Sequence, residues 1–108
     1  MKKNMPEFCR LRKKKKYVID ASLFTDKLSA HAAMRAVLAD SEYYGSNLDA
    51  LHDVLTSLRR DCTILILNFD AAAAALGEYA AGIRQVFTDS AAENPHLEIV
   101  FVSGEGKN

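Results

Sequence analysis

A chain of 108 residues, 49% of them apolar and 26% charged, has the size and make-up of one compact domain and is too short to hold two separate cores. Its formal net charge of zero conceals a segregation: residues 1–16 carry eight Lys or Arg against the single Glu7, a net +7, and residues 17–108 carry six cations against thirteen anions, a net −7. The acidic body favours a basic partner and disfavours direct contact with nucleic acid, whose phosphates it would repel. No apolar run approaches the ~18 residues of a membrane span, so no membrane association is expected.

Two cysteines, Cys9 and Cys62, make a poor disulfide framework and no metal-ligand spacing. They fit two thiols in a reducing cytosol. The N-terminal lysines have no apolar stretch behind them, unlike a secretory signal. A cytoplasmic protein without cofactor or bound metal is expected.

In chain order, residues 1–16 read as a flexible basic tail, because Lys13–Lys16 repel one another and offer no apolar face. A single domain is expected over 17–104. Tyr17-Val18-Ile19 is β-branched and aromatic and predicts the first strand. Ser22 or Thr25 is the expected cap of a helix carrying Asp26 in its first turn and Ala30, Met34, Val37 and Leu38 on its apolar face. A polar loop at Asp40-Ser41-Glu42 and a turn at Tyr43–Asn47 follow, with Ser46 or Asn47 capping a second helix over about Leu48 to Leu58. Thr63–Leu67 is continuously apolar, as a central strand buried on both faces would be. Asp70 is the expected cap of a third helix through the alanines 71–75, ended by Gly77. A fourth helix spans roughly Glu78 to Ala92, with Tyr79, Ile83, Val86 and Phe87 on one face, until Asn94-Pro95 breaks it. Leu97–Val102 is the last strand. The order β-α-α-β-α-α-β predicts an α/β fold, a three-stranded parallel sheet with about four helices packed mainly on one side.

The chemistry concentrates in Glu42–Thr56. On a helix at ~100° per residue, Leu48, Leu51, Leu55 and Leu58 form one stripe, while Asp49, His52, Asp53 and Thr56 cluster opposite it. Asp49 and Asp53, four residues apart, repel by roughly 0.2–0.5 kcal/mol in an isolated helix. No Lys or Arg between residues 36 and 58 relieves them, and Asp40 and Glu42 add to the charge. Two readings are open. Asp49 gains from the helix dipole and Asp53 is merely solvated, or the face is kept acidic for a basic partner.

The run Tyr43-Tyr44-Gly45-x-Asn47-Leu48-Asp49-Ala50-Leu51-x-Asp53-x-Leu55 is similar to the signature of the barstar family. The likeness extends back to the Tyr17–Ile19 strand and, more loosely, forward through the second strand, Gln85-Val86-Phe87 and the closing strand. The resemblance implies a three-stranded parallel sheet with four helices. It also implies a non-catalytic inhibitor that blocks a basic, extracellular-type (barnase-type) ribonuclease inside the producing cell, the second helix and the loop before it entering the enzyme's active site. Position by position, Asp53 is then the anchor set where a substrate phosphate would lie, held by charge-assisted hydrogen bonds. Asp49 engages a second basic group, Tyr43 packs on the enzyme, Gly45 permits close backbone approach, Asn47 belongs to the same contact segment, and Asp89 adds a peripheral charge. Three residues depart from the best-known member: His52 and Leu58 stand where it has tryptophans, and Asp89 is a methylene shorter than the glutamate there. His52 brings a pH-sensitive group to the interface.

Within the same resemblance, the partner is alternatively a different toxin nuclease, with this chain as its immunity protein or antitoxin. In either case the free chain is expected to be monomeric. A small metal-dependent enzyme built on Asp49, His52 and Asp53 is the competing catalytic reading, against which stands the absence of a His-x-x-x-His pair, a phosphate loop or a nucleophile motif. A nucleic-acid-binding module using residues 1–16 is the other, against which stands the acidic body.

Overall fold

The computed structural model describes residues 15–38 and 47–102. The expectations for residues 1–14, for the 40–42 loop and for Tyr43 and Gly45 lie outside the described residues.

Strand β1 (Lys15–Asp20) leads through a 3-10 turn (Ala21–Leu23) to helix α1 (Lys27–Val37). Helix α2 (Leu48–Ser57), strand β2 (Cys62–Leu67), helix α3 (Phe69–Leu76), helix α4 (Glu78–Glu93) and strand β3 (Leu97–Val102) follow. The three strands lie in the order β1-β2-β3 and both pairings are parallel, which gives the expected α/β fold of a three-stranded parallel sheet with four α-helices. In register, Tyr17 pairs with Ile64 and Ile64 with Ile99, while Ile19 pairs with Ile66 and Ile66 with Phe101.

Side chains alternate across a strand, so the register sorts the sheet into two faces. Tyr17, Ile19, Cys62, Ile64, Ile66 and Leu97 are buried on one face. They pack with Phe24, Met34, Leu38, Leu51, Leu55, Ile83 and Phe87 in a single core, each large apolar side chain contributing roughly 1.5–3 kcal/mol on burial. The opposite face is open. Thr63, Leu65 and Leu67 on the central strand are only half-buried, so β2 is not closed on both faces as its apolar run suggested. With one layer of cover, a central strand still reads as uniformly apolar.

Three local features differ from the sequence reading. Strands β1 and β2 begin earlier than expected, at Lys15 and Cys62. Asp26, rather than Ser22 or Thr25, caps α1: its carboxylate accepts from the Ser29 amide at 2.7 Å while its own backbone amide donates to the Ser29 hydroxyl oxygen at 2.9 Å, a reciprocal capping box. The position before α3 is Asn68, in the left-handed region at φ 60°, with Asp70 in the first turn instead of the cap. Asparagine tolerates that conformation, and here its side-chain amide is tied to Asp20 at 3.0 Å across the ends of β1 and β2. Those hydrogen bonds, from Asn68 first and then Ser22, hold the Asp20 carboxyl below its ordinary value.

Gly77 separates α3 from α4 with φ 56° and ψ −123°, a geometry open to glycine and strained for other residues. Gly82, inside α4, faces Leu48 of α2, whose Cδ1 would lie 3.1 Å from an added Cβ. The small residue leaves room for the Leu48 side chain between the two helices.

Candidate partner-binding site

Helix α2 carries the candidate residues Asp49, His52 and Asp53, with Asn47 at its cap. Asn47, one of the two expected caps, has its side-chain oxygen accept from the Ala50 amide at 2.8 Å, which satisfies an otherwise orphaned donor of the first turn. Leu51, Val54 and Leu55 are buried, and Leu48 and Leu58 pack partly against the core. The leucine stripe is therefore centred on Leu51 and Leu55, with Val54 as a member that the spacing argument passed over.

The far end of α2 is held from another element. Asn94, buried at the end of α4, donates from its side-chain nitrogen to the carbonyls of Leu55 and Leu58, each at 2.9 Å. Its side-chain oxygen accepts from the His96 amide at 3.0 Å. Both ends of α2 are thus fixed by asparagine side chains, and a helix held at both ends displays its polar face in a set orientation.

Asp49 and Asp53 are exposed on that face. Among the described residues neither carboxylate has a hydrogen-bond or ion-pair partner; the Asp53 backbone carbonyl, not its side chain, accepts from Ser57 at 2.6 Å. His52, on the same face, is half-buried and turns toward α4, its Nε2 standing 3.2 Å from Glu93 Oε2. Asp89 is exposed one turn earlier on α4 and accepts from Gln85 at 2.9 Å. The His52–Glu93 contact joins the two helices, so the acidic groups of α4 stand beside those of α2. Asn47, Asp49, His52 and Asp53 share one short helix and its cap; Asp89 belongs to the neighbouring helix.

Glu93 was not singled out from the sequence. The signal was its i+4 spacing from Asp89 on the same helix. Also missed was a cavity of about 760 Å³ where the second half of α2 meets the starts of β1 and β2. Asp53 and Ser57 line it together with Arg59, Arg60, Lys15 and Tyr17.

Among the described residues no three His, Cys, Asp or Glu side chains converge as metal ligands would, and no helix is long and apolar enough to cross a membrane. What the face offers is two fixed, unpartnered carboxylates, able to accept charge-assisted hydrogen bonds from a basic surface.

A family model described as Barstar (barnase inhibitor) matches residues 15–103. The chain is also similar to a Bacillus subtilis (strain 168) protein named "Putative ribonuclease inhibitor YrdF", at 32% identity over 80 residues, covering 73% of this chain and 88% of that protein.

Proposed function

The chain belongs to the barstar (barnase inhibitor) family, and on that premise we propose that it is a non-catalytic inhibitor of a basic, barnase-type ribonuclease, acting inside the cell that makes the enzyme. The observation that carries this reading is the pair Asp49 and Asp53, exposed and unpartnered among the described residues on a helix capped at both ends.

Asp53 takes the place of a substrate phosphate, and basic groups of the enzyme donate to it. Asp49 meets a second basic group one turn away. In the free protein the two carboxylates repel at a cost of roughly 0.2–0.5 kcal/mol; cations of the enzyme relieve it. Because α2 is already ordered, little conformational entropy is lost on binding, which favours affinity. Asn47 keeps the entry of the helix in place, His52 and Glu93 form the flank, and Asp89 contributes a rim charge. Tyr43 and Gly45, by the family likeness, complete the contact from the preceding loop. The inhibitor acts as a monomer, and the basic residues upstream of β1 lie outside the inhibitory unit.

The second reading within the family is immunity to another toxin nuclease. His52, tied to Glu93, and Leu58 at the sites of two tryptophans favour it, since they alter the surface offered to the enzyme.

The test is RNA cleavage by a panel of small basic ribonucleases, comprising barnase and those encoded in the same genome, with and without the protein. Stoichiometric inhibition of at least one member, lost with Asp53→Ala, supports the reading. Failure to inhibit any member contradicts it.

A further inference from the structure

The cavity beside Asp53 carries charge of the wrong sign for a surface that only meets cations. Asp53 lines it, and so do Arg59 and Arg60, both exposed, in the segment that leaves α2. The described cations after residue 16 are Lys27, Arg35, Arg59, Arg60 and Arg84. Lys27 lies over the Tyr79 ring at 4.7 Å, Arg84 lies over Phe101 at 4.1 Å, and Arg35 is also engaged. Arg59 and Arg60 have no hydrogen bond, ion pair or ring contact among the described residues. They break an acidic stretch that has no Lys or Arg from 36 to 58.

A domain whose body is acidic and whose partner is basic gains nothing in long-range attraction from two such arginines. Their presence in the same hollow as the anchoring carboxylate calls for a local, complementary anion. We propose that the Arg59–Arg60 end of this cavity receives a carboxylate side chain of the target ribonuclease, one that stands beside the basic groups engaged by Asp53. The hollow then reads an alternation of charge on the enzyme: cations at Asp53, an Asp or Glu next to them at Arg59 and Arg60. Guanidinium groups suit this task, because their fork of donors matches a carboxylate bidentately. The pair thereby acts as a specificity determinant, rejecting basic ribonucleases that place a cation at that position. This rests on the inhibitor reading above.

The sign of one charge reversal separates the proposal from a solvated role. If the two arginines only face water, Arg59→Glu/Arg60→Glu makes the inhibitor more acidic, and association with a basic enzyme becomes faster and tighter. If they hold a carboxylate, the same change places like charges together and dissociation accelerates.

The experiment measures association and dissociation rates of the full-length protein, R59E/R60E and D53A with the most strongly inhibited ribonuclease of the panel. A thermal melt of each variant checks folding. Each exposed Asp and Glu of that ribonuclease is also changed to Lys in turn. The expected result is at least tenfold weaker binding by R59E/R60E, carried by the dissociation rate, and recovery of binding with one Asp→Lys or Glu→Lys enzyme variant. Unchanged or tighter binding by R59E/R60E, with D53A still disabling, overturns the proposal and leaves the inhibitor reading intact. No inhibition by the wild-type protein overturns both.

Discussion

Asn94 fastens the end of the carboxylate-bearing helix, its side-chain nitrogen donating to the Leu55 carbonyl at 2.9 Å. A second bond of the same length reaches Leu58, so one buried amide satisfies two carbonyls that the end of a helix would otherwise leave unpaired. Position 94 therefore links the last helix to the orientation of Asp49 and Asp53, although it touches neither.

Asn94→Asp removes both donors with little change of shape and turns an acceptor toward two carbonyls. Each buried group left unsatisfied costs about 1–3 kcal/mol, so the variant is expected to be less stable by at least that much in urea denaturation. Inhibition by the fraction that remains folded should weaken as well. A stability within about 0.5 kcal/mol of wild type, the ordinary scatter of surface substitutions, would remove Asn94 from this role.

His31 is fully enclosed, with Nε2 2.7 Å from the Tyr79 hydroxyl. Burial first, and the neighbouring Arg35 second, push its pKa below the ordinary 6.5. The unfolded chain thus takes up the proton at higher pH than the folded one. Stability is full above the unfolded value and falls as pH drops from about 6.5 toward the lowered folded pKa. Asp20 and Asp26, whose pKa values are also lowered, give a separate loss only below their ordinary 3.8. Chemical denaturation between about pH 8 and pH 5 should show the first decline, and His31→Gln should flatten it. A slope unchanged by that substitution would assign the decline elsewhere.

Asp53→Ala should weaken inhibition far more than Asp89→Ala. Truncating a central carboxylate leaves the enzyme's cations buried and unpaired, at about 2–5 kcal/mol, a range to which complexes of this family themselves contribute. Asp89 is exposed and already held by Gln85; on the proposed reading it is a rim charge, whose loss mainly slows association and alters salt dependence. Equal, small effects in inhibition titrations would displace α2 from the centre of the interface.

The two described glycines should respond oppositely to alanine. At Gly77 nothing obstructs a Cβ, yet φ 56° with ψ −123° strains any L side chain, and about 1–3 kcal/mol of stability should be lost. At Gly82 alanine gains roughly 0.8–1 kcal/mol of helix propensity, offset by the 3.1 Å approach of a flexible leucine end. Thermal melts should place Gly82→Ala near wild type and Gly77→Ala clearly below it.

The fold was legible because its signals are local and periodic. Leu97–Val102 and the Glu78 start of α4 stand where the residue pattern put them, and Asn47 caps α2 as one of two expected residues. The misses fall where several capping residues crowd together. Ser22, Thr25 and Asp26 can all cap, and only the backbone geometry, extended at Asp26, selects among them. At α3 the position before the helix is Asn68, left-handed and with its side chain bonded to Asp20 instead of capping, while Asp70 falls within the first turn. The carboxylate face of α2 was readable from spacing, since Asp49 and Asp53 lie on one helix. Its surroundings were not: His52 meets Glu93 across 41 positions of sequence, and the hollow joins Asp53 to Arg59, Arg60 and Lys15 only once β1 and β2 are paired.

The most direct measurement of active-site blockade is competition on the inhibited ribonuclease between this protein and a mononucleotide bound in the enzyme's phosphate site. Mutually exclusive binding, with the apparent affinity of the protein falling in proportion to mononucleotide concentration, is the result expected if Asp53 occupies the phosphate position. A ternary complex of enzyme, mononucleotide and protein, with both affinities unchanged, would contradict it.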